Sequence, residues 1–353
     1  MKSLHKLIDT IYQITFTALA LYLIFLLLRY PALSLEYAST GLMLWFQKMI
    51  PTLLPFMILS GIMIRMNLTE KFVSFIHPFL HRIYGTSPNG SYTILMGLLC
   101  GFPMGARITG ELYQAGKLSR EESSRLLIFC NNIGPIYFLS FVVPTLAIAK
   151  PLIPFCIMYG IPLLYGIIIM RILPFIRQIT LTPGRKAAMQ DYENTAPQIY
   201  AASAYAIHMQ NKSAHTASQI QTAPAHTSVR VPLLAAIDSS VISGLTGIAK
   251  LGGYMVFFNL LNIAFVPFSN LSPAFLCLYN CLLEITSGID RGSHLLFYSI
   301  LVLLPFGGFS CIAQTYSMIQ HTDLSIRSYI FHKIIQTFLT ALCYLCCSHI
   351  FLL

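Results

Sequence analysis

Charged residues are scarce in this chain of 353 residues. Only 10% of its residues are Asp, Glu, Lys or Arg and 56% are hydrophobic, whereas an ordinary soluble protein carries roughly 25% charged residues. This shortage excludes a soluble globular domain and indicates an integral membrane protein. Its 22 basic residues outnumber its 12 acidic ones. They stand at the edges of apolar runs rather than in one stripe, so we expect a lipid bilayer and no nucleic acid as partner.

The chain also lacks the motifs of common enzymes and metal sites. It has no His-Glu-x-x-His pattern and no phosphate-binding loop. Its nine cysteines stand in apolar or interrupted segments without the spacing of a zinc site. We therefore expect no enzymatic activity, no metal and no cofactor.

Apolar runs and polar stretches divide the chain into four regions. Residues 1–37 contain an apolar run that is longer than a signal-peptide core, which predicts an N-terminal signal-anchor helix. Residues 38–176 and 231–353 are two membrane regions, and each begins with a long apolar helix. Between them, residues 177–230 are rich in Ala, Gln, Ser, Thr and Pro, and they predict a polar, disordered, cytoplasmic linker.

An apolar segment that is broken at its centre is the most informative feature. The break consists of Gly101, Phe102, Pro103, Met104 and Gly105. Each apolar arm is too short to cross a ~30 Å hydrocarbon core. This predicts a re-entrant helical hairpin at residues 92–115.

A weaker copy of this break occurs in the second membrane region. It contains Pro305, Gly307 and Gly308 and predicts a second hairpin at residues 294–320. Both membrane regions then follow the same order of a long helix, an amphipathic piece, a broken hairpin and a closing helix.

Counting the crossings with the positive-inside rule places the N-terminus, the linker and the C-terminus in the cytoplasm. The first membrane region then begins outside and the second begins inside. The predicted fold class is an all-α polytopic membrane protein with two inverted-topology repeats, each with a re-entrant helical hairpin, as in many secondary transporters.

Arg107 is the main candidate for binding a substrate anion. A cation beside the first break is costly at membrane depth unless it meets water, an anion or an acidic partner. The helix that leaves the break also presents free N–H groups and a positive dipole end, which favour an anion. The alternative is that Arg107 only pairs with Glu111, four residues along the same helix, or reaches the interface.

Glu284 is the main candidate in the second membrane region. It stands in an apolar approach to the second break and is followed by Thr286 and Ser287. A buried carboxylate beside two hydroxyl groups could bind the substrate or a coupling proton or sodium ion. The alternatives are a helix cap or an ion pair with Lys250.

Asn131 and Asn132 precede a helix break at Gly134 and Pro135, whose freed carbonyl groups need partners. Their amides either line a cavity or merely satisfy this break. The complete set of candidate substrate-binding residues is Gly101, Phe102, Pro103, Gly105, Arg107, Asn131, Asn132, Glu284, Thr286, Ser287, Gly307 and Gly308.

These motifs resemble those of a known family. The run from Gly101 to Arg107, the Asn131–Asn132 pair, residues 283–288 and residues 306–308 are similar to the sporulation integral membrane proteins of the YlbJ type. That family is related to nucleoside-recognition or Gate domains and, more remotely, to concentrative nucleoside transporters. The resemblance implies a role in endospore formation and transport of a small organic anion, dipicolinate, across a membrane around the forespore.

Three functions stay open at this point. The first is a transporter of a small organic anion such as dipicolinate. The second is a nucleoside or cation-coupled transporter of the same fold class, and the third is a non-transporting scaffold for sporulation proteins in the membrane. The sequence also leaves open whether the protein forms a homo-oligomer.

Overall fold

A computed structural model describes residues 2–174, 232–267, 271–292 and 297–351. All regular elements in these ranges are helical, and no strand occurs among them. Six helical segments are long and apolar enough to cross a membrane. The described part of the chain is therefore all-helical, and the protein is a multi-pass integral membrane protein. The predicted linker at residues 177–230 lies outside the described residues.

The first part of the chain contains two long helical segments, several short helices and one further apolar helix. The helices are α1 (Lys2–Arg29), α2 (Pro31–Leu44), α3 (Ile50–Arg65), α4 (Thr69–Val73), α5 (His77–Tyr84), α6 (Pro88–Cys100), α7 (Met104–Gln114), α8 (Arg120–Phe129), α9 (Pro135–Thr145) and α10 (Leu152–Ile172). A π-helical turn at Trp45–Met49 joins α2 to α3, so the two helices form one apolar segment of 35 residues.

The second part contains one long helix, four shorter ones and a long final helix. These are α11 (Leu233–Leu260), α12 (Pro273–Leu283), α13 (Ile285–Gly292), α14 (Phe297–Leu303), α15 (Gly308–Ile319) and α16 (Ile326–Phe351).

The longest segments of the two parts, α2–α3 and α11, pack side by side in opposite directions. A Cβ on Gly41, in α2, would lie 2.9 Å from the Met255 carbonyl oxygen, near the end of α11. A Cβ on Gly61, near the end of α3, would lie 3.0 Å from Ser240 Oγ, near the start of α11. Residues without a side chain thus let the two helices approach closely.

The first break turns the chain back as the sequence predicts. Helices α6 and α7 pack against each other, and a Cβ on Gly97 would lie 3.1 Å from Gly105 Cα. Gly101 ends α6 with a φ of +83°, in the left-handed region that favours glycine. The helical pair runs from Pro88 to Gln114, so it begins before the predicted range of residues 92–115 and ends one residue before the end of that range.

In the second part, the helices that fold back on each other are α12 and α13 rather than α14 and α15. A Cβ on Gly288 would lie 2.5 Å from Cys281 Cα, and one on Gly292 would lie 2.1 Å from Cys277 Sγ. Within the described residues, α14 and α15 form no comparable pair. Residues 294–296 of the predicted second hairpin lie outside the described residues, and Phe297–Ile319 form an interrupted helix. The pair of helices that folds back on itself lies earlier in the chain.

The glycines of the second break explain this difference. A Cβ on Gly308 would lie 3.0 Å from the Cys281 carbonyl oxygen and 3.1 Å from that of Leu282. Gly308 therefore lets the second break pack closely against the end of α12. The side chain of a larger residue would collide with these carbonyl oxygens. The same residue type reverses the chain at the first break and permits a close contact at the second.

Basic residues gather at one end of the helical bundle, which we call the basic end and define by Arg65, Lys117, Arg120 and Arg171. Arg65 Nη1 donates to Ser240 Oγ at 3.1 Å, and Lys117 Nζ donates to the Ile64 carbonyl oxygen at 2.5 Å. Arg171 Nη2 donates to the carbonyl oxygen of His81 at 2.7 Å. The ends of α3, α7 and α10 and the start of α11 therefore lie at the basic end.

Helix α16 runs from the basic end to the opposite end. Asp323, just before α16, pairs with Arg120, whereas Tyr344, near the end of α16, lines a groove with Leu278 and Tyr298. The sequence predicts that the linker and the C-terminus lie on the same side. The end of α16 lies away from the two helix ends that flank the linker, because Asp323 and Tyr344 lie at opposite ends of the bundle.

Candidate functional site

A cavity lies where the hairpin turns and the helix breaks meet. Its volume is about 60 Å³, room for a few water molecules. Residues of α3, α6, α9, α11, α13 and α15 line it, and most of them are apolar. Its polar lining residues include Thr52, Tyr137, Glu284, Thr286 and Gln314.

Phe102, in the turn of the first hairpin, reaches the second break. Its ring lines the cavity, and a Cβ on Gly307 would lie 3.0 Å from its Cε2 atom. Gly307 and Gly308 have φ values of +74° and +81°, so both require the conformational freedom of glycine. The two sequence breaks are thus in contact, as expected of one shared site.

The first hairpin also packs against the break between α8 and α9. A Cβ on Gly101 would lie 2.3 Å from the Gly134 nitrogen, and one on Gly105 would lie 2.3 Å from the Cys130 carbonyl oxygen. Pro103 is buried between these glycines and directly precedes α7. These candidates shape the backbone around the cavity rather than offer side chains to a ligand.

Asn131 ties three elements together beside this break. Its Oδ1 accepts the Ala106 N–H at 3.3 Å, and its Nδ2 donates to Thr315 Oγ1 at 2.8 Å and to the Tyr329 hydroxyl at 3.1 Å. The amide is fully buried. Asn131 therefore forms hydrogen bonds with α7, α15 and α16 rather than with the carbonyl groups freed by the break. Neither Asn131 nor Asn132 is among the cavity-lining residues.

Asn132 contacts a buried lysine that the sequence analysis missed. The Asn132 Nδ2 donates to the Phe129 carbonyl oxygen at 2.6 Å, and its Oδ1 accepts from Lys333 Nζ at 2.5 Å. Lys333 is fully buried in α16. The sequence could have identified this residue, because Lys333 is a single lysine within the apolar run at residues 326–352. A cation inside a membrane helix is costly and marks a candidate site.

Glu284 lies in the turn between α12 and α13 and lines the cavity. One carboxylate oxygen accepts the Thr286 N–H at 3.1 Å, and the other accepts the Ser287 N–H at 2.7 Å. Ser287 Oγ donates back to the Glu284 carbonyl oxygen at 3.2 Å. Glu284 therefore caps α13, the helix-cap alternative, while standing at the cavity; Lys250 is exposed and forms no ion pair with it.

Arg107 lies away from the cavity, between α7 and α11. Its Nε donates to Glu111 Oε1 at 2.8 Å, and its Nη2 donates to Ser243 Oγ at 2.9 Å. The guanidinium is buried, and a Cβ on Gly247 would lie 2.9 Å from its Nη1. The pairing with Glu111 that the sequence left as an alternative is present, and Arg107 is not among the cavity-lining residues.

Two comparisons with known proteins find similar sequences. A model of the Gate family, described as nucleoside recognition, matches residues 46–161. The sporulation integral membrane protein YlbJ of Bacillus subtilis is 33% identical over 117 residues, which are 33% of this chain and 29% of that protein. No solved structure matches.

The matched residues run from the turn before α3 into α10, and they include the first hairpin and the break between α8 and α9. The family-model match therefore includes the run from Gly101 to Arg107 and the Asn131–Asn132 pair, but not residues 283–288 or 306–308. The match to YlbJ spans less than a third of the length of that protein. Residues 46–161, within the first membrane region, match the model described as nucleoside recognition. The resemblance of this chain to the YlbJ-type sporulation integral membrane proteins is confirmed.

Proposed function

We propose that this protein is a membrane transporter for a small organic anion and not an enzyme. The observation that carries this function is the cavity between the turns of two helical hairpins, α6–α7 and α12–α13. At membrane depth, backbone groups outside a helix need partners from protein or from a water-filled cavity. Interrupted helices that converge near the midplane are typical of secondary transporters.

We further propose that the two membrane regions are inverted-topology repeats with re-entrant hairpins. Each region contains, in order, a long helical segment, a hairpin, an interrupted helix and a closing helix. The long segments stand first in their regions, and their opposite directions support the inversion. The first hairpin opens toward the basic end, whereas Arg291, at the end of the second, packs over the Tyr37 ring near the other end.

The positive-inside rule then orients the molecule with its basic end in the cytoplasm. The linker and the N-terminus are cytoplasmic in this orientation. The end of α16, and with it the C-terminus, lies on the opposite side of the membrane.

The name of the matched relative, a sporulation integral membrane protein, supports a role in endospore formation. We propose dipicolinate, the anion that the family resemblance implies, as the substrate and a membrane around the forespore as the location. The Phe102 ring offers an aromatic surface to a pyridine ring. We also keep the prediction that Glu284 binds a coupling proton or sodium ion. Both of its carboxylate oxygens accept backbone N–H groups in the described conformation.

The described conformation corresponds to a closed site in this proposal. A cavity of about 60 Å³ is much smaller than a pocket for a drug-sized ligand, roughly 300–1,000 Å³. Leu99 and Ile136 line the cavity and are 47% and 53% exposed, so they mark its mouth. Substrate entry requires the helices around this mouth to separate.

A nucleoside transporter of the same fold class is the second candidate. It is favoured by the matching family model, which is described as nucleoside recognition. Glu284, Thr286 and Gln314 at the cavity offer hydrogen-bond partners to a sugar or a base.

Uptake into liposomes that contain the purified full chain separates these functions. Radiolabelled dipicolinate and radiolabelled uridine are compared in parallel with protein-free liposomes. The proposal predicts saturable uptake of dipicolinate and little uptake of uridine. Uptake of uridine alone would favour the second candidate, and uptake of neither would contradict both transport functions and favour a scaffold.

A further inference from the structure

A buried lysine stands next to the proposed transport site without an acidic partner. Lys333 Nζ lies 2.5 Å from Asn132 Oδ1 and 3.3 Å from Gln336 Oε1. None of the ion pairs among the described residues includes Lys333. Both of its hydrogen-bond acceptors are neutral amides, and all three side chains are buried.

Aromatic rings complete the surroundings of the ammonium group. The ring centroids of Phe102 and Tyr329 lie 5.3 Å and 5.6 Å from Lys333 Nζ, within the range of a cation–π contact. Amide dipoles and ring faces stabilise a cation, but they supply no negative charge. A buried lysine without a counter-ion carries its charge at a high cost, and a bound anion would offset that cost.

Phe102 connects Lys333 to the cavity. The Phe102 ring lines the cavity and also lies over the ammonium group. Asn132, the other contact of Lys333, directly precedes Ile133 and Gly134, which line the cavity too. Movement of the Phe102 side chain would therefore join the cavity to Lys333.

The other buried cation near the breaks already has an acidic partner, although its Nη1 has no hydrogen-bond partner. Arg107 has a carboxylate partner in Glu111 and a hydroxyl partner in Ser243, and it does not line the cavity. Lys333 thus combines two properties of an anion site, namely a basic group without an acidic partner and closeness to the cavity.

We propose that Lys333 is the cation that binds the transported anion, and that the Phe102 ring moves aside to let a carboxylate reach it. The bound anion supplies the negative charge that the buried ammonium group lacks. This role rests on the proposed transport function and names the residue that sets its preference for anions.

Equilibrium binding of radiolabelled dipicolinate to the purified full chain in detergent tests this role. The variants are Lys333→Met, which removes the charge at similar length, and Asn132→Asp, which gives Lys333 a carboxylate of its own at the position of the Asn132 amide. Lys250→Met is the matched control, because Lys250 is an exposed lysine on α11. Thermal unfolding of each variant verifies that it is folded.

We expect at least a tenfold weaker affinity for dipicolinate in Lys333→Met and in Asn132→Asp, and unchanged affinity in Lys250→Met. If Lys333→Met does not fold, the Asn132→Asp result decides, because that change keeps the shape of the site. Unchanged binding in a folded Lys333→Met or Asn132→Asp variant would overturn the role of Lys333 while leaving the transport function intact. Failure of the unsubstituted protein to bind or transport dipicolinate would instead overturn the proposed substrate, and the role of Lys333 with it.

Discussion

Phe102 and Gly307 are in contact, although each belongs to a break in a different half of the chain. A Cβ on Gly307 would lie 3.0 Å from Phe102 Cε2, so the aromatic ring occupies space that only a residue without a side chain leaves open. Gly307 also has a φ of +74°, where a larger residue is strained. This pair joins the first hairpin to the interrupted helix α14–α15.

Gly101→Ala should destabilise the protein more than Gly116→Ala. Both glycines have positive φ values, +83° and +68°, but a Cβ on Gly101 would lie 2.3 Å from the Gly134 nitrogen, whereas nothing lies within 4 Å of one on Gly116. Backbone strain costs about 1–3 kcal/mol at either position, and overpacking adds about 1–3 kcal/mol at Gly101. Thermal unfolding in detergent measures the difference. Equal melting temperatures for the two variants would show that the hairpin turn does not touch the α8–α9 break.

Arg107→Met should lower stability and leave uptake almost unchanged. Glu111, whose side chain is 24% exposed, loses its partner, and Ser243 loses a donor. Because Arg107 does not line the cavity, dipicolinate uptake per folded molecule should change less than about threefold, under ~1 kcal/mol. A double variant with Glu111→Gln should recover part of the lost melting temperature. A tenfold loss of uptake in folded Arg107→Met would place Arg107 on the substrate path.

Asn131→Ala should be more destabilising than Tyr329→Phe. The first change leaves the Ala106 N–H and the Thr315 and Tyr329 hydroxyl groups without their amide partner, at a cost of about 2–4 kcal/mol. The second removes only the hydroxyl of one of these contacts and should cost about 1 kcal/mol. Melting temperatures of the two purified variants provide the comparison, and the reverse order would contradict the assigned hydrogen bonds.

Reporter fusions should place the linker and the C-terminus on opposite sides of the membrane. We expect a C-terminal alkaline phosphatase fusion to be active in a bacterial host, because this enzyme matures only outside the cytoplasm. A fusion within the linker should be inactive, and green fluorescent protein at the same two positions should give the inverse result. Cytoplasmic reporters at both positions would restore the topology that the sequence predicts.

The sequence predicted the first hairpin but misplaced the second, and the reason lies in how glycine is used. At Gly101 the residue ends a helix and reverses the chain. At Gly308 it lets the second break approach the carbonyl groups of Cys281 and Leu282. The turn of the second hairpin carries Glu284, whose side chain caps α13, and it contains neither glycine nor proline.

The sequence predicted the part of the candidate site that lies at the breaks, but not the contacts between residues that are far apart in the chain. Phe102 and Glu284 line the cavity, as expected from their positions at or near the breaks. The Lys333–Asn132 contact joins residues that are 201 positions apart, and only the packing of α16 against α8 brings them together. A single sequence shows which polar residues stand in an apolar run, but it does not show which residue each of them contacts in the fold.

The most direct test of transport through the cavity compares two tryptophan substitutions on α9. Ile136 and Leu139 are 53% and 51% exposed on the same helix, but only Ile136 lines the cavity. The initial rate of dipicolinate uptake into liposomes should fall at least tenfold in Ile136→Trp, because the larger side chain narrows the mouth, and should stay near the unsubstituted rate in Leu139→Trp. Equal uptake by the two variants would contradict a transport path through this cavity.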